Sequence, residues 1–78
     1  MNQFNRITFN PDIMGGRACV RGMRVTVSLL LNLISNGMNA AQIVKEYPHL
    51  EEEDIRQALQ YAAWLAEEQV QILEFLPA

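Results

Sequence analysis

Three arginines, Arg17, Arg21 and Arg24, lie close together in residues 15–24, a segment punctuated by glycines. An arginine guanidinium carries a rigid fork of N–H donors that matches the two oxygens of a carboxylate or phosphate. The chemistry available to this segment is therefore the binding of an anion or an acidic protein surface. We predict that all three arginines contact a partner, and that Arg21 and Arg24 make the main contacts.

Catalytic groups are scarce in this chain. It has one cysteine, Cys19, and one histidine, His49, and a cysteine–histidine pair would need a third, orienting group. We expect Cys19 to fill a small space in the core and His49 to lie on a loop. The acidic residues 51–54 do not predict a metal site, since consecutive helical residues point in different directions. We therefore expect no enzyme, no catalytic residue, no cofactor and no metal ligand.

The charges are divided unevenly along the chain. Residues 1–45 carry five basic residues and one acidic residue, a net charge of +4, whereas residues 46–78 carry one basic and eight acidic residues, a net charge of −7. The first half could face an anion or an acidic pocket, and the second half would repel nucleic acid. The alternative is that these charges only keep a small domain soluble.

The elements that must position the arginines can be placed from turn and cap signals. We predict one domain over residues 1–69, with a short β ribbon over 5–24 and helices over about 27–36, 40–46 and 52–69. The aliphatic tail, residues 70–78, either extends the third helix or docks separately. In the third helix we expect Ile55, Leu59 and Ala62 to face the core and Gln57 to face solvent.

Each helix start shows a cap residue flanked by two apolar residues that can close over it as a hydrophobic staple. The predicted caps are Thr26, Asn39 and Glu51. Glu51 is a poor cap because its side chain is long, so replacing it with Ser or Thr should stabilise the protein. Asp54 is at the third helical position, where its side chain could accept a hydrogen bond from the backbone N–H of Glu51, as in a capping box.

These elements predict a mainly α fold, a three-helix bundle of helix-turn-helix outline preceded by a short β segment. A single cysteine fits a reducing compartment, and neither a signal peptide nor a membrane-spanning run is evident, so we expect a cytoplasmic protein. Leu29 and Leu33 lie off the main apolar stripe of the first helix. Together with the apolar tail, they predict a homodimer.

The same residues resemble a small bacterial and archaeal family, catalogued as domain of unknown function four hundred and thirty-three. The resemblance covers about residues 5–65, and its most specific part is the glycine–arginine block. The matching residues are Ile7-Thr8, Asn10-Pro11, Gly15-Gly16-Arg17, Val20-Arg21-Gly22, Arg24-Val25-Thr26-Val27, Gly37-Met38, Ile43, Tyr47-Pro48, Leu50, Asp54-Ile55-Arg56-Gln57-Ala58-Leu59 and Tyr61-Ala62. The chain departs from the usual family pattern at Met23, where a Thr is usual, and at Glu51, where Thr or Ser is usual.

The resemblance implies a homeodomain-like helical fold and an antitoxin whose toxin is a PIN-type ribonuclease. Such a nuclease holds metal with acidic residues, so Arg21 and Arg24 could pair with those carboxylates and displace the metal. Two other functions remain open. One is a helix-turn-helix repressor that contacts DNA through Arg21 and Arg24, and that acts either by itself or in a complex with the partner. The other is a dimerisation or adaptor module without catalysis.

Overall fold

The computed structural model describes the backbone of residues 4–74 and the side chains of residues 4–67. In chain order it contains strand β1 (Ile7–Thr8), a 3-10 turn (Met14–Gly16), strand β2 (Cys19–Val20), helix α1 (Val27–Ser35), helix α2 (Ala40–Glu46) and helix α3 (Glu52–Glu74). The predicted mainly α class, with three helices after a short β segment, is confirmed.

The two strands pair within the chain. They are antiparallel, with Ile7 opposite Val20 and Thr8 opposite Cys19. A two-residue pair is marginal on its own. Here Ile7 and Val20 are both buried in the core of the helical bundle, so packing stabilises the ribbon and fixes where the arginine segment begins.

The first two helices begin at the predicted caps. The Thr26 hydroxyl accepts a hydrogen bond from the Leu29 N–H at 3.0 Å. At α2, Asn39 and Gln42 form a reciprocal capping box, with both bonds at 2.8 Å. These bonds satisfy backbone donors that the first turn of a helix leaves unpaired.

Helix α3 is longer than predicted. It continues to Glu74, beyond the expected end at about residue 69, so residues 70–74 extend the helix rather than leave it. The physical reason is the absence of a helix-breaking residue before Pro77. Residues 75–78 of the predicted tail lie outside the described part of the chain.

The core lies where α1 and α2 pack against the first half of α3, with Leu30, Ile43 and Ile55 at its centre. On α3 the buried face differs from the predicted one. Ala58 and Gln57 are buried, whereas Leu59 is 41% exposed. Gln57 is drawn inward because its side chain accepts the Arg6 backbone N–H and donates to the Asn5 side chain at 3.0 Å.

Within residues 4–74, no helix is both long enough and apolar enough to cross a membrane.

A candidate binding surface around the arginine turn

The segment between β2 and α1 is a tight turn, which we call the arginine turn (residues 21–24). Arg21 adopts a left-handed backbone conformation with φ of +46°, and Gly22 follows with φ of +72°. That conformation is unfavourable for a residue with a Cβ atom. It persists because the backbone is tied on both sides: the Arg21 N–H donates to the Arg6 carbonyl at 2.7 Å, and the Gly22 N–H donates to the Thr8 hydroxyl at 2.8 Å.

The Arg21 side chain binds Asp54, which is fully buried at the start of α3. Its Nε and Nη2 atoms donate to the two oxygens of the Asp54 carboxylate at 2.9 and 2.7 Å, a bidentate pair. Nη2 also donates to the His49 carbonyl at 2.9 Å. Arg21 therefore links the arginine turn to both the α2–α3 turn and the first turn of α3.

Asp54 has two further partners. Its Oδ1 accepts from Arg6 Nη1 at 2.8 Å, and its Oδ2 accepts from the Glu51 backbone N–H at 2.8 Å. The second bond is one half of a capping box, as the position of Asp54 predicts. The other half is missing, because the Glu51 carboxylate instead accepts from Arg6 Nη1 at 2.6 Å. A carboxylate this buried is tolerated only because it is fully hydrogen-bonded.

The hydrogen bonds set the charge of this network. Burial by itself would raise the pKa of Asp54. The hydrogen bonds from Arg21, Arg6 and the Glu51 backbone lower the pKa by more than burial raises it, so its value falls from the ordinary 3.8 to about 2. The hydrogen bonds to Glu51 and then Asp54 raise the pKa of Arg6, and the bond to Asp54 raises that of Arg21. Asp54, Arg6 and Arg21 are therefore charged at neutral pH.

The three arginines predicted to bind a partner do not form one cluster. The donors of Arg21 are occupied by Asp54 and by the His49 carbonyl, so the geometry gives this residue a positioning role. Arg17 and Arg24 are exposed, and among the side chains of residues 4–67 neither has a carboxylate within 4.0 Å. They line different cavities.

Arg24 borders a groove that we call the turn groove. It lies between the arginine turn and the turn joining α2 to α3, and its volume is about 580 Å³. Most of its lining is apolar, contributed by Met23, Val25, Tyr47, Pro48 and Leu50; Gly22, Arg24, Glu46 and His49 complete it. Arg17 lines a second cavity of about 390 Å³, which Tyr61 and Leu65 also border.

The sequence did not predict that Arg6, Asp54 and Gln57 come together in this region. The position of Asp54 three residues after Glu51 pointed to its capping bond, but no local pattern pointed to its two arginine partners. Those partners are 48 and 33 residues away in the chain.

An aromatic face covers one side of α3. Tyr61 packs against Phe4 and Phe9, with ring centroids 5.4 and 5.9 Å apart, and against Trp64 at 6.3 Å. Phe9 is 56% exposed, Trp64 42% and Leu65 40%. Leu29 and Leu33, which predicted an apolar association surface, are half-buried, and among residues 4–67 the side chains of Phe9, Trp64 and Leu65 are more exposed than these two.

The described residues contain no group of three His, Cys, Asp or Glu side chains arranged to hold a metal ion. Cys19 is buried in β2, and His49 is exposed on the α2–α3 turn, as their sequence contexts predicted.

A family model described as "Protein of unknown function (DUF433)" matches residues 7–62. The uncharacterized protein y4eO of Sinorhizobium fredii is 38% identical over 56 residues, which are 72% of this chain and 25% of that protein, so the chain spans a quarter of its length. The crystal structure of a DUF433 member from Anabaena variabilis superposes with a TM-score of 0.75 at 27% identity, covering 90% of this chain and 69% of that one.

The family match spans both strands, α1, α2 and the first half of α3, and it includes Arg21 and Asp54. The chain therefore belongs to the DUF433 family.

Proposed function

We propose that this chain is a non-enzymatic antitoxin that binds and neutralises a PIN-type ribonuclease. One observation supports this function above the others. Arg24 is an exposed cation on a rigidly held turn, and no carboxylate of residues 4–67 lies within 4.0 Å of it. Arg6, Arg21 and Arg56, by contrast, each have an internal carboxylate partner.

The mechanism follows from charge. A PIN-type nuclease needs acidic residues to bind its catalytic metal. An arginine placed among those carboxylates would form charge-assisted hydrogen bonds with them and displace the metal. Because Arg21 is held by Asp54, Arg24 is the residue that reaches the partner, and Arg21 fixes the turn that carries it.

DNA binding receives less support. Helices α2 and α3 are joined by a short turn, residues 47–51, which is the arrangement of a helix-turn-helix. However, the first turn of α3 carries Glu52, Glu53 and Asp54, which would repel phosphate where a recognition helix enters the groove. If DNA is bound, we expect the complex with the partner to bind it, rather than this chain alone.

The test is to co-express this chain with a PIN-type nuclease encoded beside its gene and to measure RNA cleavage. Wild-type protein should co-purify with the nuclease and suppress cleavage. Arg24→Ala should restore most of the cleavage, whereas Arg56→Ala, which removes an exposed arginine on α3, should not. An uninhibited nuclease with the wild-type chain would reject the proposal. Nanomolar sequence-specific binding of duplex DNA by the chain alone would instead favour the repressor function.

A further inference from the structure

The turn groove has two walls that are fastened to each other. One wall is the arginine turn and the other is the α2–α3 turn, and the Arg21 guanidinium is bonded to Asp54 and to the His49 carbonyl at once. The α2–α3 turn is also held by a hydrogen bond of its own, because the Leu50 N–H donates to the Tyr47 carbonyl at 2.9 Å. A preformed groove loses little conformational entropy when a ligand enters it.

The lining indicates what the groove can accept. Its apolar residues favour an apolar side chain, and its volume of about 580 Å³ falls within the range of ligand-binding clefts. Arg24, at the rim, favours a carboxylate beside that side chain. Glu46 also lines the groove, and the acidic first turn of α3 follows the α2–α3 turn, so the groove suits a single carboxylate paired with Arg24 and disfavours a run of negative charges such as a phosphate backbone.

We propose that the turn groove is the docking site for a protein segment that carries a carboxylate next to large apolar side chains. The carboxylate pairs with Arg24, and the apolar side chains pack against Met23, Val25 and Tyr47. This inference rests on the proposed function, and it specifies the part of the nuclease that is bound: an acidic segment with apolar neighbours, at or near the metal site.

The chain offers matched variants for a test. Arg24→Glu reverses the charge at the groove, and Arg56→Glu makes the same change at an exposed arginine of α3 that does not line the groove. His49→Glu adds a carboxylate to the opposite wall without altering the backbone carbonyl that Arg21 binds. Gln60→Glu is its control, since Gln60 is an exposed residue of α3 that does not line the groove.

The measurement is the affinity of each variant for the co-expressed PIN-type nuclease by titration calorimetry, with thermal melting to show that each variant is folded. We expect Arg24→Glu to weaken binding by at least ~30-fold and Arg56→Glu by less than ~3-fold, because only the former breaks a desolvated charge pair. His49→Glu should weaken binding more than Gln60→Glu.

The outcomes separate this inference from the proposed function. If the wild type does not bind the nuclease, the proposed function is wrong, and the groove inference falls with it. If the wild type binds and inhibits but Arg24→Glu and Arg56→Glu lose equal affinity, the function stands and the groove inference is overturned. It is also overturned if Arg24→Glu instead dissociates a homodimer in sedimentation, because the occupant would then be a second copy of this chain.

Discussion

At the residue scale, Asp54 joins parts of the molecule that are far apart in the chain. Its carboxylate is fully buried, and two arginines from the first part of the chain and one backbone N–H donate to it. The three arginines of the predicted site therefore differ in role, although their sequence contexts are alike. Arg21 shapes the surface, and Arg24 is presented by it.

Replacing Asp54 with Asn tests the strength of this network. The amide keeps the shape of the carboxylate but removes the charge that both arginines bind. We therefore expect the free energy of unfolding to fall by about 2–3 kcal/mol. The melting temperature should fall by roughly 10 °C or more. The control is Asp12→Asn, since Asp12 is exposed and forms no ion pair with residues 4–67. Equal melting temperatures for the two variants would contradict this role.

The pKa of Asp54 predicts how stability depends on pH. The folded-state value of about 2 lies below the ordinary value of 3.8, so the unfolded chain binds the proton more readily. The stabilisation by the charged carboxylate is therefore complete above about pH 4 and is lost as the pH falls towards 2. Urea unfolding of wild type and Asp54→Asn between pH 2 and 5 should show their difference in unfolding free energy shrinking at the acidic end. A constant difference across this range would contradict the assignment.

At the level of elements, α3 begins in a different way from α1 and α2. Thr26 and Asn39 cap their helices through their own side chains. Glu51 instead turns its carboxylate to Arg6, and Asp54 binds the Glu51 backbone N–H. The start of α3 thus depends on the N-terminal ribbon as well as on local sequence.

This difference revises the expected effect of replacing Glu51. From sequence, Glu51→Thr should stabilise the protein by about 0.5–1 kcal/mol, because a shorter side chain caps better. In the folded protein the substitution also removes the ion pair with Arg6. We expect the full gain, a rise in melting temperature of roughly 2–8 °C, only in an Arg6→Ala background, and a smaller change when Arg6 is present. Melting of the four proteins of this double-mutant cycle measures the coupling, and equal rises in both backgrounds would argue against it.

At the scale of the whole molecule, the aromatic face leaves large parts of the Phe9 and Trp64 side chains exposed. Such surfaces commonly mark protein association. We expect the protein to form a homodimer through this face, so that sedimentation at micromolar concentration gives about twice the chain mass of 8.9 kDa. Trp64→Glu should shift the protein towards the monomer. Ala41→Glu, on the exposed side of α2, should not.

A wild-type protein that sediments as a monomer would contradict this expectation. A dimer that survives Trp64→Glu would place the contact elsewhere. Because the turn groove and the aromatic face are lined by different residues, nuclease binding and self-association should be separable by mutation.

The amino-acid sequence by itself determined the features that depend on residues three or four positions apart. The boundaries of α1 and α2 follow from such signals, because the Thr26 and Asn39 caps bond to residues only three positions further along the chain. The mainly α class follows from the helical spacing of the apolar residues, which also predicts that these residues lie near one another on one face of each helix. The glycine–arginine segment was also recognised as a binding candidate from sequence alone.

Only the tertiary structure decided that Arg24 is exposed and that Arg21 is bound to Asp54. Arg6, Arg21 and Asp54 meet across 33 to 48 residues, and no local spacing encodes such contacts. The same contacts turn α3 so that Gln57 and Ala58 are buried and Leu59 is exposed, against the pattern read from hydrophobicity. The physical reason is that a buried carboxylate must be paired, and satisfying Asp54 fixes the rotation of α3 and the position of the arginine turn together.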